Sequence, residues 1–229
     1  MALFPTSDYY LIHFNEEEIK NMKQIASKSS PPNTIFSTND VITSHLWKVF
    51  TKLKKISSNE PSLMLTVCNL RGKKPSIPSY YYRNCILALH TNSNGEELVN
   101  GSLGTLALKV NSEIHSYKNQ YVDQDLQNLK EIFSRNPTLK GVNFEANPFD
   151  YDVWITSWAR FPIYDSDFGK GNPTWFHTPC IMIPNTFVIL PAPPEMGGVI
   201  ITTMVPSTLK QDPQQEASLD QSIHQYRSI

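Results

Sequence analysis

Apolar and polar positions alternate along this chain in two distinct periods, and the switches between them mark its elements. Ile19, Met22 and Ile25 recur at helical spacing after Asn15 and the acidic run Glu16-Glu17-Glu18. An Asn at the cap with acids in the first turn predicts a helix running to about Lys28, where Ser29-Ser30-Pro31-Pro32-Asn33 breaks it. A second helix opens at Thr38 or Asn39 with Ile42, Leu46, Val49, Phe50 and Leu53 on one face. Lys48, Lys52, Lys54 and Lys55 gather toward its C-terminal end, where the helix dipole favours cations.

The period then shortens. Ser62–Leu70 and Cys85–Thr91 read as strands, separated by an irregular excursion containing Pro75, Pro78 and Tyr80-Tyr81-Tyr82. Leu103, Leu106, Ala107, Val110, Ile114 and Tyr117 mark a third helix; Leu126, Leu129 and Phe133 mark a fourth. A strand over Asp152–Phe161 leads into a glycine-containing loop, and strands follow near 180–184, 186–191 and 199–205. The last two form a hairpin across Pro191–Gly198. From Lys210 the chain turns polar, so 206–229 reads as a loose tail or short helix. No repeats or low-complexity linker interrupt this order. The pattern predicts a single α/β domain over 1–229: a mixed sheet of about six strands with helices packed against it.

Composition narrows the classes. The chain has 229 residues and is 40% hydrophobic and 11% aromatic, enough for a sizeable core and unlike a disordered chain. Lys and Arg total 20 against 21 acids, which argues against a nucleic-acid binder or a polybasic membrane binder. Seventeen prolines against nine glycines point to stiff connections. Cys68, Cys85 and Cys180 lack metal-ligand spacing and read as free buried thiols, so no metal is expected. The N-terminus lacks leader character and no run reaches the ~18 apolar residues of a membrane span, which makes a reduced, cytoplasmic setting the expectation. There is no Walker loop, dinucleotide fingerprint or Gly-x-Ser-x-Gly elbow.

The chemistry-bearing text is Asp165-Ser166-Asp167-Phe168-Gly169-Lys170-Gly171-Asn172-Pro173. Two glycines within three residues permit backbone that Cβ atoms forbid, and Asp167, just before Phe168 and these glycines, needs a fixed partner. With its flanks, ITSWARFPIYDSDFGKGNPTWF, this stretch closely resembles the C-terminal signature of the acyl-CoA-dependent BAHD acyltransferases. Two further stretches match in order: Ser37 to Trp47, similar to the helix after the family's domain crossover, and Asn69-Leu70-Arg71-Gly72-Lys73 to Tyr82-Arg83-Asn84. The resemblance spans residues 10 to 205; Lys170 stands where the family usually has Trp.

The resemblance implies a chloramphenicol-acetyltransferase-like half-domain that moves an acyl group from acyl-CoA, as co-substrate, to an alcohol or amine. It implies a structural role for Asp167, Phe168, Gly169 and Gly171, with Asp167 paired to Arg71 in a buried ion pair that pins the glycine loop. It implies that Thr156 and Trp158 share a strand face turned to the reaction centre, able to donate to an oxyanion. It places Ser37, Thr38 and Asn39, at a helix start, near the coenzyme channel. The residues by themselves read equally as a helix cap for Ser37–Asn39 and a core threonine and tryptophan for Thr156 and Trp158.

The family's general base sits in a His-x-x-x-Asp motif of its N-terminal half, and this chain has none. His13, His45, His90, His115, His177 and His224 are followed four positions later by Glu17, Val49, Asn94, Asn119, Ile181 and Ser228. His13 to Glu17 comes nearest. Two function classes therefore stay open: the C-terminal half of an acyltransferase, acting with an N-terminal half or by self-association, or a non-catalytic module binding acyl-CoA or a partner half.

Overall fold

The computed structural model describes residues 7–72, 77–116, 122–135, 151–179, 185–207 and 221–223. In chain order these form β1 (Ser7–Phe14), α1 (Glu16–Lys28), α2 (Thr38–Leu53), β2 (Pro61–Asn69), β3 (Ile86–Asn94), α3 (Gly95–Asn100), α4 (Leu103–Ser116), α5 (Val122–Arg135), β4 (Val153–Ser157), β5 (Thr186–Pro191) and β6 (Val199–Pro206). The strands make one six-stranded sheet in the order β1-β6-β5-β4-β2-β3. β2, β4 and β5 run parallel; the β1–β6, β5–β6 and β2–β3 pairs are antiparallel. This is the mixed sheet the periodicity predicts.

Both long N-terminal helices start where their caps place them. The Asn15 side chain accepts from Glu18 N at 2.9 Å while Glu18 Oε2 accepts from Asn15 N at 3.0 Å. Ser37 and Asp40 repeat the arrangement at α2. Each box satisfies two orphan donors of the first turn. α1, α2 and α4 then bury their apolar stripes on one face of the sheet. The core joins Ile19, Met22 and Ala26 of α1, Ile42, Leu46 and Phe50 of α2, and Leu106 and Val110 of α4 to Met64, Val153, Ile155, Phe187, Ile189 and Ile201 from the strands. Phe50 meets Phe187 edge to face at 4.5 Å between ring centres. Trp47, fully buried, donates its indole N–H to Ser62 Oγ at 2.9 Å.

The opposite face is covered in part by the chain's own loop: Thr178 shares a 3.0 Å hydroxyl bond with Thr202 and accepts from the Tyr9 hydroxyl at its carbonyl. At the far end of α2, Lys54 donates to the Asp152 carbonyl at 2.7 Å, and Asp152 Oδ2 accepts from Leu63 N at 3.1 Å. This clamps the helix end to the entry of β4. Burial pulls the Lys54 pKa down against the raising influence of Asp152.

Several elements differ from expectation. β1 pairs with β6 from Ser7 opposite Pro206 to Phe14 opposite Val199, although its Ser7–Phe14 run carries polar and aromatic residues together. β4 stops at Ser157, because Trp158 begins a turn closed by Phe161 N to the Trp158 carbonyl at 2.9 Å. A short α3 follows β3 directly, capped by Asn94 on Glu97 N. The strand expected near 180–184, and Cys180, lie outside the described residues. In the stretch expected as a loose tail, Ile223 is buried in the core and its carbonyl accepts from the fully buried His45 ring at 2.8 Å; 208–220 and 224–229 lie outside the described residues.

Candidate functional site

β2 and β4 pair only over Met64–Thr66 and Val153–Ile155. Beyond Thr66, β2 stays with β3 through Asn69 opposite Ile86; beyond Ile155, β4 stays with β5 through Ser157 opposite Ile189. The two parallel strands part at their C-terminal ends. Crevices outside the carboxyl ends of parallel strands are where open α/β sheets bind ligands.

A cleft of about 1440 Å³ opens there, larger than the roughly 300–1,000 Å³ of a drug-sized site. Its floor is Thr66, Cys68, Leu89, Ile155, Ser157 and Val199. One wall is the polar face of α1, with Glu16, Lys20, Lys23, Gln24, Ser27 and Lys28 at helical spacing. The first turn of α2, the end of α4 with Asn111 and His115, and Arg160 after β4 complete the rim. Lys20, Lys23, Lys28 and Arg160 outnumber Glu16 and Asp40, so the cleft favours an extended anion. The Lys20-Lys23-Lys28 spacing was visible in the sequence, but a helix face of lysines reads there as solvated surface.

Ser37, Thr38 and Asn39 all line this cleft. Ser37 also caps α2, its hydroxyl accepting from Asp40 N at 3.2 Å. Thr156 and Trp158 do not line it. Ile155 and Ser157 do, so the alternation of the strand turns Thr156 to the other face of the sheet. Trp158 stacks on Phe161 with ring centres 5.8 Å apart, and its backbone N–H donates to the Ile189 carbonyl.

The expected Asp167–Arg71 ion pair is not formed. Asp167 Oδ1 accepts instead from the backbone N–H groups of Gly169 at 2.6 Å, Lys170 at 3.1 Å and Gly171 at 3.0 Å. Gly169 and Gly171 hold φ of 83° and 92°, which curls three successive donors around one carboxylate oxygen. Arg71 is engaged elsewhere: Nε donates to the Tyr81 carbonyl at 2.6 Å, Nη1 to Asn69 Oδ1 at 3.0 Å, and Nη2 to the Arg83 carbonyl. It shapes the tyrosine-rich excursion, in which Tyr80 and Tyr82 are exposed. Asp167 itself is exposed and Phe168 is 94% exposed. Asp167→Ala should therefore lower stability by only about 0.5–2 kcal/mol, as for a lost backbone cap, and not by the roughly 3–5 kcal/mol of a broken buried pair. Urea unfolding of the two proteins decides between these figures.

His13 and Glu17 do not act together either. The His13 ring is hydrogen-bonded to the Gly197 carbonyl at 2.9 Å, and Glu17 is an exposed partner of Lys20 at 3.5 Å. No cluster of potential metal ligands and no helix long and apolar enough to cross a membrane occurs among the described residues.

A helix-backed mixed sheet whose parallel strands part at a basic cleft defines an α/β fold of the chloramphenicol-acetyltransferase type. The chain belongs to the Transferase family, which it matches over residues 6–218, in keeping with its BAHD motifs. It is 23% identical over 189 residues to tryptamine hydroxycinnamoyltransferase 2 of Oryza sativa subsp. japonica, covering 82% of this chain and 42% of that protein. It is 27% identical over 213 residues to 3'-N-debenzoyl-2'-deoxytaxol N-benzoyltransferase of Taxus canadensis, covering 86% and 44%. Its fold is similar to that of F. sporotrichioides TRI101 complexed with coenzyme A and T-2, with a TM-score of 0.77 at 19% identity over 93% of this chain and 51% of that one. The chain thus spans less than half the length of these curated relatives.

Proposed function

We propose that this chain is the coenzyme-binding C-terminal half of an acyl-CoA-dependent acyltransferase that acts on an alcohol or amine. The observation that carries this reading is the coincidence of a basic helix face and a sheet fork in one cleft. Lys20, Lys23, Lys28 and Arg160 are the candidates to hold the coenzyme's phosphates, with the free N–H groups of the first turn of α2 beside them. The acyl-bearing arm would run over Thr66, Cys68 and Ile155 to the fork. Thr156, on the opposite face of β4, and Trp158, just beyond the end of that strand, are candidates to position the acceptor or the developing oxyanion.

In the reaction, a base takes the proton from the acceptor hydroxyl or amine. The freed lone pair attacks the thioester carbonyl, and collapse of the adduct expels coenzyme A as its thiolate. The base belongs to an N-terminal half seated on this one. Phe161, Phe168 and Trp175, exposed on the loop that follows β4, are the surfaces it would cover. The relatives named above, each longer than this chain, support that arrangement.

A binding module without catalysis is the second reading, favoured by the absence of His-x-x-x-Asp. The first reading requires coenzyme binding, as does a module that binds acyl-CoA; a module that binds only a partner half does not. Titration calorimetry with coenzyme A should show binding that weakens with salt and that weakens at least about tenfold in Lys23→Glu/Arg160→Glu, as loss of phosphate contacts demands. An absence of binding at low salt would overturn the first reading and leave only a module that binds a partner half.

A further inference from the structure

One buried anion in the cleft wall has no cation beside it. Asp40 is 3% exposed, and among the described residues no basic side chain pairs with it. Its Oδ2 accepts from two donors: Ser37 N at 2.8 Å, within its own capping box, and Asn111 Nδ2 at 2.9 Å, from α4. Among the described residues, Asn111 thus makes the one side-chain hydrogen bond from α4 to the first turn of α2, and both Asn111 and Asp40 line the cleft.

That link comes at a place the chain leaves loosely specified. Ser29–Phe36, before α2, is irregular: Asn33 holds φ of 66° and Ile35 is 87% exposed. Local capping fixes where the helix starts, but a cap is a bond within one turn and says nothing about how that turn stands relative to α4. A buried carboxylate needs its donors, because an unsatisfied one is costly. Moving the first turn of α2 away from α4 would strip Asp40 of a donor, so the Asn111 amide holds the wall in one position.

We propose that Asn111 is a positioning residue for coenzyme binding: it sets the separation of α4 from the first turn of α2, and so the width of the cleft at Ser37–Asn39. This rests on the coenzyme-binding reading above. Asn111 touches the wall and acts through Asp40.

The test compares the full chain with Asn111→Leu, which fills similar space without the amide, and Asn111→Gln, which keeps an amide. Lys54→Met, at the other end of α2, serves as a stability control. Affinity for coenzyme A is measured by calorimetry, thermal midpoint in parallel, and amide exchange over Thr38–Val41 by mass spectrometry. Asn111→Leu is expected to weaken binding about tenfold, the size of one lost hydrogen bond to a charged group, and to speed exchange in that turn. Asn111→Gln should recover most of the affinity. Lys54→Met should lower the thermal midpoint with affinity intact. Equal weakening in Lys54→Met, or unchanged affinity and exchange in Asn111→Leu, would overturn the proposal. If the parent chain binds no coenzyme A, the functional reading fails, and accelerated exchange in Asn111→Leu alone would reduce Asn111 to a structural tie.

Discussion

Given acyl-CoA and a panel of alcohols and amines, the chain alone is expected to form product at least about 10²–10⁴ slower than the same chain mixed with an N-terminal half carrying His-x-x-x-Asp, the usual worth of a positioned general base. The described histidines explain the expectation. The His13 ring is held by the Gly197 carbonyl, and His45 is buried against Ile223. His90 meets the Tyr151 hydroxyl at 2.9 Å near the entry of β4, the end away from the fork. His177 Nδ1 lies 2.8 Å from the Thr178 carbonyl. His115 alone among them lines the cleft, exposed in the last turn of α4. Steady-state assays with each half and with the mixture decide the matter. Turnover by the chain alone that disappears in His13→Ala or His115→Ala would put the base in this half. A mixture that binds coenzyme A and forms a complex yet stays inactive would favour the binding module.

Among the described glycines, Gly198→Ala is expected to be the most damaging alanine substitution, costing roughly 2–5 kcal/mol from overpacking and left-handed strain together. Gly198 holds φ of 80°, and a Cβ there would stand 2.1 Å from the Phe14 carbonyl oxygen and 2.9 Å from Asn15 Cα. Those atoms are backbone, at the junction where β1 turns into the capping box of α1, so no side-chain rotation relieves the clash. Gly198 also lines the cleft beside Glu16. The matched control is Gly169→Ala. Gly169 has a similar φ of 83° but nothing within 4 Å of its Cβ position. It should cost only the strain, about 1–2 kcal/mol. Urea unfolding midpoints of the two variants against the parent separate the terms; equal losses would mean that the contact at Phe14 relaxes freely.

Much of the fold was legible because its determinants are short-range. Asn15 with Glu18 and Ser37 with Asp40 close their bonds within three residues, so the starts of α1 and α2 could be read directly. The β5–β6 hairpin and the apolar stripes of α2 and α4 follow from period and turn chemistry. β1 was not legible: its strand character comes from pairing with β6, nearly two hundred residues away in the chain. Thr156 and Trp158 read as sharing one face of a strand, but β4 ends at Ser157 and Trp158 enters a turn, and strand alternation does not say which face meets the cleft. The parting of β2 from β4 is likewise invisible in either strand alone, since each keeps its other neighbour.

Side-chain partners divide in the same way. The sequence shows that Asp167 needs donors, and the nearest ones prevail: two glycines with left-handed backbone bring three N–H groups to its carboxylate without the entropy of recruiting Arg71 from a distant loop. What the sequence determined by itself is most of the elements, the caps of α1 and α2 and the motifs of the family, because each rests on contacts within a turn or on a period of two or 3.6. What the tertiary structure alone decided is the site: a lysine face of α1 becomes a wall, Asn111 of α4 reaches Asp40 of α2, and two strands separate to make a floor. Those depend on register and packing between segments far apart in the chain, which no local pattern encodes.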